Sequence, residues 1–141
     1  MKELLERCIG RVYVSRGEEY IKFENLFNRS VAIYRAGSEC CSETWFADII
    51  GVDSLLGEEV IGVEKMEIWW PQDGRTRQDS DTAYGYKLKT DKGITDIIFR
   101  NSSNGYYGGG IYLYDLPKHG DPKVEWVEIT KDWSAPGSGG E

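Results

Sequence analysis

A segment with the sequence FRNSSNGYYGGG holds the side chains best suited to recognise a ligand. Tyr106 and Tyr107 offer flat rings that can stack on a base, and Arg100 offers a fork-shaped guanidinium to an anion. Asn101 and Asn104 add hydrogen-bond donors and acceptors, and the glycines let backbone N–H groups approach a ligand closely. We therefore expect these five side chains to form a ligand-binding site without a catalytic role.

The same segment also has a structural interpretation. Asn104-Gly105 is a favourable turn dipeptide, and the two adjacent tyrosines could pack across neighbouring strands. Arg100 follows an apolar stretch, where it could pair with Glu43 or Asp48 instead of a phosphate. We favour the binding interpretation because one turn does not require so many Asn, Ser and Gly residues.

The sequence indicates no metal site, cofactor or catalytic group. Zinc sites need three or four converging ligands, and the pair Cys40-Cys41 has only Cys8 and His119 to add from the Cys and His residues. A Cys41–His119 dyad would make the protein an enzyme, but nothing in the sequence places the two residues together. Since neither a phosphate-binding loop nor a dinucleotide fingerprint is present, we expect a protein that is not an enzyme.

The overall charge narrows the choice of partners. The formal net charge of the 141-residue chain is −7, which opposes binding to nucleic acid or to an anionic membrane surface. The sequence has no signal peptide and no apolar stretch near the roughly 18 residues of a membrane span. We expect a cytoplasmic protein with neither a nucleic-acid nor a membrane partner.

The periodicity of apolar residues predicts an α+β domain. We expect a mostly antiparallel sheet of six to eight strands built from hairpins, beginning with a three-stranded meander over residues 11–36 and including a hairpin over 84–100. An N-terminal helix is expected over residues 2–9. A second helix, starting at Ser42 and carrying Trp45, Phe46 and Ile49 at helical spacing, is expected to pack on the sheet. The globular domain would span residues 1–133, and 134–141 would form a flexible Gly/Ser-rich tail.

Two groups of motifs resemble a family of small, functionally uncharacterised domains of bacteriophages and prophages. The first group is CCSETWFADI followed by GVDSLLGEEV, and the second is YGYK followed by NSSNGYYGG. The resemblance spans about residues 5–115 and implies a viral or mobile-element origin.

In size and in its β-rich composition with small helices, the chain also resembles the anti-Thoeris sponges. Those phage proteins sequester cyclic ADP-ribose-type signals without cleaving them, and they assemble as oligomers. The resemblance implies a homo-oligomer that binds a small nucleotide-like ligand in the host cytoplasm. The alternatives are an acidic protein–protein inhibitor of a host defence factor, with exposed aromatic residues such as Trp69 and Trp70, and an uncharacterised domain with no catalytic role.

Overall fold

Antiparallel β-strands dominate the computed structural model, which describes residues 1–38, 42–71, 73, 75, 80–103 and 109–136. The strands are β1 (Cys8–Ile9), β2 (Arg11–Ser15), β3 (Tyr20–Glu24), β4 (Ser30–Ser38), β5 (Ser42–Ile50), β6 (Glu58–Glu59), β7 (Gly62–Lys65), β8 (Ser80–Thr90), β9 (Gly93–Ser103), β10 (Gly109–Leu113), β11 (Trp126–Glu128) and β12 (Trp133–Ser134). The described helical elements are two 3-10 turns, at Lys2–Leu4 and Val52–Ser54, and the short helix α1 (Leu116–His119).

The strands form two five-stranded sheets and one small ladder. Sheet I has the order β10-β4-β3-β2-β11, and sheet II has the order β12-β5-β9-β8-β7, while β1 pairs with β6. Each of these pairings is antiparallel. Because β4 leads into β5 and β9 leads into β10, the chain passes between the two sheets at both connections.

Side chains from both sheets form one apolar core. Its fully buried members include Val12, Ile21 and Tyr34 from sheet I and Phe46, Leu88 and Ile97 from sheet II. The ring of Phe99 stacks on Tyr84 at a centroid distance of 5.2 Å and meets Phe46 edge-on. Since burial of apolar surface is the main favourable term in folding, this shared layer makes the fold a β-sandwich.

The prediction of an α+β domain is wrong, and so is the N-terminal helix. Within the described residues, α-helix is limited to the four residues of α1. The predicted helix over residues 2–9 is instead the 3-10 turn followed by β1, whose Cys8 and Ile9 pair with Glu59 and Glu58. An isolated helix of that length is marginal in water, and here pairing with β6 satisfies the backbone of the segment.

The second predicted helix is also wrong, because residues 42–50 form strand β5 in the middle of sheet II. Trp45 to Ile49 are all buried, and the register with β9 shifts between Phe46 and Asp48. A strand buried on both faces gives a continuous apolar run that periodicity cannot distinguish from a helix. The bulge then reproduces the spacing of a helix face.

Two predictions based on local sequence are confirmed. Strands β2, β3 and β4 form the predicted meander, and β8 and β9 form the predicted hairpin, in which Thr90 pairs with Gly93. The last strand, β12, crosses the boundary predicted at residue 134, and residues 137–141 lie outside the described part. No helix in the described residues has the length and hydropathy needed to span a membrane.

Candidate ligand-binding groove

Arg100 lies on β9 with its side chain on the face of sheet II that points away from the core, and it is 4% exposed. Its guanidinium donates hydrogen bonds to Asp73 at 2.9 and 2.5 Å and to Asp81 at 3.1 Å. Asp48, considered from the sequence as a partner of Arg100, pairs with Arg75 at 2.9 Å. We call Asp48, Asp73, Arg75, Asp81 and Arg100 the Arg100 cluster.

The charges of the Arg100 cluster depend on one another. The hydrogen bonds from Arg100 hold the pKa of Asp73 well below its usual range. Burial raises the pKa of Asp81, although Ser102 and Arg100 partly offset this effect by hydrogen bonds and charge. The buried Nε atom of Arg100 has no hydrogen-bond partner. The cluster therefore ties residues 73 and 75 to sheet II.

Asn101 points to the opposite face of the sheet from Arg100, because successive residues of a strand alternate in direction. It is buried, and its Nδ2 donates to Thr44 Oγ1 at 2.9 Å. Ser38 donates to the same oxygen at 3.0 Å. The two predicted site residues that the structure describes are thus separated by the sheet. The other three, Asn104, Tyr106 and Tyr107, lie outside the described residues.

Gly109 closes this polar corner tightly. A Cβ atom at Gly109 would lie 2.0 Å from Thr44 Oγ1, 2.6 Å from Asn101 Nδ2 and 3.0 Å from the backbone oxygen of Gly37. At the neighbouring Gly110, a Cβ atom would meet only ordinary contacts at 3.8 Å or more, at the ring of Tyr112.

We expect Gly109→Ala to destabilise the protein by about 1–3 kcal/mol, because an added methyl must displace close-packed atoms. Gly110→Ala is the matched control and should change stability by less than about 1 kcal/mol, since its methyl enters free space. Urea unfolding of both variants measures the difference. Equal stabilities of the two variants would contradict this packing.

A groove lies near the polar corner, at the β4–β10 edge of sheet I, and we call it the Arg35 groove. It encloses about 480 Å³ and is lined by Arg35, Gly37, Ser38, Tyr112, Leu113, Tyr114, Asp115 and His119. This volume lies within the range typical of small-molecule sites. Gly37 shapes it, because a Cβ atom there would lie 2.4 Å from the ring of Tyr112.

Aromatic contacts position the remaining wall of the Arg35 groove. The ring of Tyr114 lies 5.7 Å from Tyr20 and 5.7 Å from His119, measured between centroids. Asp115 caps α1 by accepting a hydrogen bond from the backbone N–H of Lys118 at 3.2 Å. This cap orients the one turn of helix that carries His119.

Arg35 supplies the positive charge of the groove. Its Nε and one Nη contact the same carboxylate oxygen of Glu19, each at 2.9 Å. This hydrogen bond raises the pKa of Arg35, so the guanidinium stays charged. A second recess of about 440 Å³ shares Arg35, Gly37 and Ser38 and adds polar residues, including Glu19, Ser42 and Thr44.

The sequence analysis missed the Arg35 groove. Arg35 could have been recognised from the alternation of β4, which points it away from the core, but its aromatic neighbours come from 77 or more positions later in the sequence. Of the reactive residues considered, Cys8 is an exposed free thiol, whereas Cys40 and Cys41 lie outside the described residues. His119 packs on Tyr114, at the groove.

Comparison with known proteins identifies relatives without an assigned activity. An uncharacterized protein of Acanthamoeba polyphaga mimivirus, L278, is 26% identical over 125 residues, which cover 78% of this chain and 98% of the viral protein. No solved structure matches the chain. The family model for a domain of unknown function, DUF7448, matches residues 2–113. This match includes β4 and β10 but not Tyr114, Asp115 or His119. Because it covers most of the sequence, the chain belongs to the DUF7448 family.

Proposed function

We propose that this domain is a non-catalytic binding protein that captures a small nucleotide-like ligand in the Arg35 groove. The observation that carries the proposal is the combination of the Arg35 guanidinium with the rings of Tyr112, Tyr114 and His119 in one recess of about 480 Å³. A guanidinium suits a phosphate, and a tyrosine ring suits a base. The ligand class is therefore a nucleotide-derived anion, such as a cyclic ADP-ribose isomer.

The geometry of Arg35 leaves room for an anion. Glu19 contacts Nε and one Nη group on one side of the guanidinium, so a phosphate can approach the other Nη group. The ring of Tyr112 is 60% exposed and lies over Gly37. Stacking of a base on such a ring is worth about 1–3 kcal/mol.

The position of the Gly-Tyr segment supports the same site. The chain leaves β9 at Ser103, which pairs with Ser42 in the second recess, and enters β10 at Gly109, which pairs with Ser38 in both recesses. The predicted ligand contacts at Tyr106 and Tyr107 thus belong to a segment whose two ends lie beside the Arg35 groove.

The biological part of the proposal is that the protein sequesters a host defence signal for a virus or a mobile element. The mimivirus relative supports a viral setting. A protein that acts by sequestration needs a binding site but no catalytic group, which is consistent with a groove built from recognition residues.

Ligand capture can be tested with a panel of cyclic nucleotides and ADP-ribose isomers. We expect a thermal shift with at least one member, and recovery of the unchanged molecule after heating the complex, as measured by mass spectrometry. Recovery of a chemically altered molecule would make the protein an enzyme and overturn the proposal. The absence of binding across the panel would also count against it.

Arg35→Gln should weaken binding of that ligand by about tenfold or more, because one charge-assisted hydrogen bond is worth about 1.5–3 kcal/mol. Arg11→Gln is the matched control, since Arg11 is an exposed arginine of the same sheet outside the groove. Titration calorimetry measures both affinities. Equal losses in the two variants would indicate nonspecific charge attraction.

An inhibitory contact with a host protein is the second candidate function. Phe27 is 83% exposed at the β3–β4 turn, next to the exposed Leu26, and Trp70 is 64% exposed. Exposed aromatic side chains of this kind often anchor protein interfaces. Failure of the whole ligand panel, together with loss of counter-defence activity in Phe27→Ser, would favour this candidate.

A further inference from the structure

Strand β10 forms an edge of sheet I without the usual protection of an edge strand. Its sequence, GGIYL, contains neither a charged residue nor a proline, and its Tyr112 and Leu113 are 60% and 53% exposed. Edge strands of monomeric proteins are normally short, charged or covered. Here β7, the edge of sheet II, carries Glu64 and Lys65, and the three-residue β11 ends in Glu128.

The backbone of β10 offers hydrogen bonds on its outer side. Tyr114 donates its N–H to the carbonyl of Ile33 at 2.8 Å, continuing the β10–β4 register. Because residues of an antiparallel strand alternate in direction, Gly110 and Tyr112 also bond to β4. The N–H and C=O groups of Gly109, Ile111 and Leu113 therefore point away from β4.

We propose that β10 pairs antiparallel with β10 of a second copy of this chain, around a two-fold axis at Ile111. This pairing joins the two copies of sheet I into one continuous sheet. Ile111 faces its own copy, and Gly110 lies opposite the partner's Tyr112. Glycine there leaves space for the tyrosine ring, an arrangement that already exists inside the chain between Gly37 and Tyr112.

Charge favours a second copy as the occupant of this edge. Each chain carries a formal net charge of −7, so two copies repel each other unless they meet at an uncharged surface. Strand β10 provides such a surface, and a strand that pairs with itself around a two-fold axis is self-complementary. Tyr112 and Leu113 also line the Arg35 groove, so the partner extends that wall.

The oligomeric state tests this proposal without any ligand. Sedimentation equilibrium of the full chain, in reducing buffer because Cys8 is exposed, should show a dimer that strengthens when salt screens the acidic charges. Leu113→Lys should weaken the dimer by about tenfold or more, since a charge on an edge strand opposes pairing. Val127→Lys is the matched control on the opposite edge, where Val127 is 45% exposed, and should leave dimerisation unchanged.

Hydrogen exchange gives a second readout that needs no variant. With rising protein concentration, the amides of Ile111 and Leu113 should become protected, whereas those of Gly110 and Tyr112, already bonded to β4, should change little. A monomer at every concentration up to about 1 mM, or a dimer in which Leu113→Lys and Val127→Lys behave alike, would overturn the proposal. A failed ligand panel would leave this outcome unaffected.

Discussion

Arg100→Met is expected to lower the free energy of unfolding by about 3–5 kcal/mol at neutral pH, because it leaves a buried carboxylate without its cation. The side chain of Asp81 is 6% exposed and would keep only the hydroxyl of Ser102 among its described hydrogen-bond donors. Asp73 retains access to water, so the loss of its partner contributes less. Urea unfolding followed by tryptophan fluorescence measures the change.

The effect of Arg100→Met should depend on pH in a defined direction. Arg100 lowers the pKa of Asp73, so their ion pair stabilises the fold above the ordinary value of 3.8 and is lost as the pH falls through the lower folded value. Burial raises the pKa of Asp81, so acid neutralises this carboxylate and relieves the variant. The stability difference between wild type and variant should therefore shrink below about pH 4.

Arg16→Met provides the control for Arg100→Met. Arg16 contacts Glu125 at 2.8 Å, but both side chains are largely exposed to solvent. Loss of such a surface pair should cost no more than about 1 kcal/mol. Comparable losses in Arg16→Met and Arg100→Met would mean that the Arg100 cluster is not a buried ionic anchor.

Gly51→Ala is expected to destabilise the protein by about 3 kcal/mol or more, because positive φ and steric exclusion act together. Gly51 has φ +83°, and a Cβ atom there would lie 2.4 Å from the backbone oxygen of Ile94. Asp132 accepts a hydrogen bond from the N–H of Gly51 at 2.8 Å, which limits how far this backbone can move.

Gly57 separates the two causes. It has the same φ of +83°, but a methyl group added there would have no atom within 4 Å, so Gly57→Ala should cost only the conformational term of about 1–2 kcal/mol. Thermal and urea unfolding of the two alanine variants give the comparison. A smaller loss at Gly51 than at Gly57 would be incompatible with the close approach to Ile94.

Local sequence signals were sufficient where neighbouring residues determine the structure. The β8–β9 hairpin could be predicted because its alternation and its turn at Asp91-Lys92 lie within one continuous segment. Gly51 was recognised as the end of an element, since glycine tolerates positive φ. The identity of that element was predicted wrongly, because β5 is buried on both faces and its bulge imitates helical spacing.

The candidate site shows the same division. Arg100 and Asn101 were selected for their chemistry, yet pairing of β9 with β5 and β8 places them on opposite faces, beside Asp81 and Thr44. The Arg35 groove was not predicted, because Arg35 and Tyr112 meet only through the pairing of β4 with β10.

By itself, the sequence determined an acidic, strand-rich chain with a meander, a hairpin and a segment rich in recognition residues, because these depend on composition and on contacts between near neighbours. Only the tertiary structure decided that β5 is a strand, that Arg100 is an ionic anchor and that a groove forms around Arg35. Each of these outcomes depends on pairing and burial between residues far apart in the sequence, which local patterns do not encode.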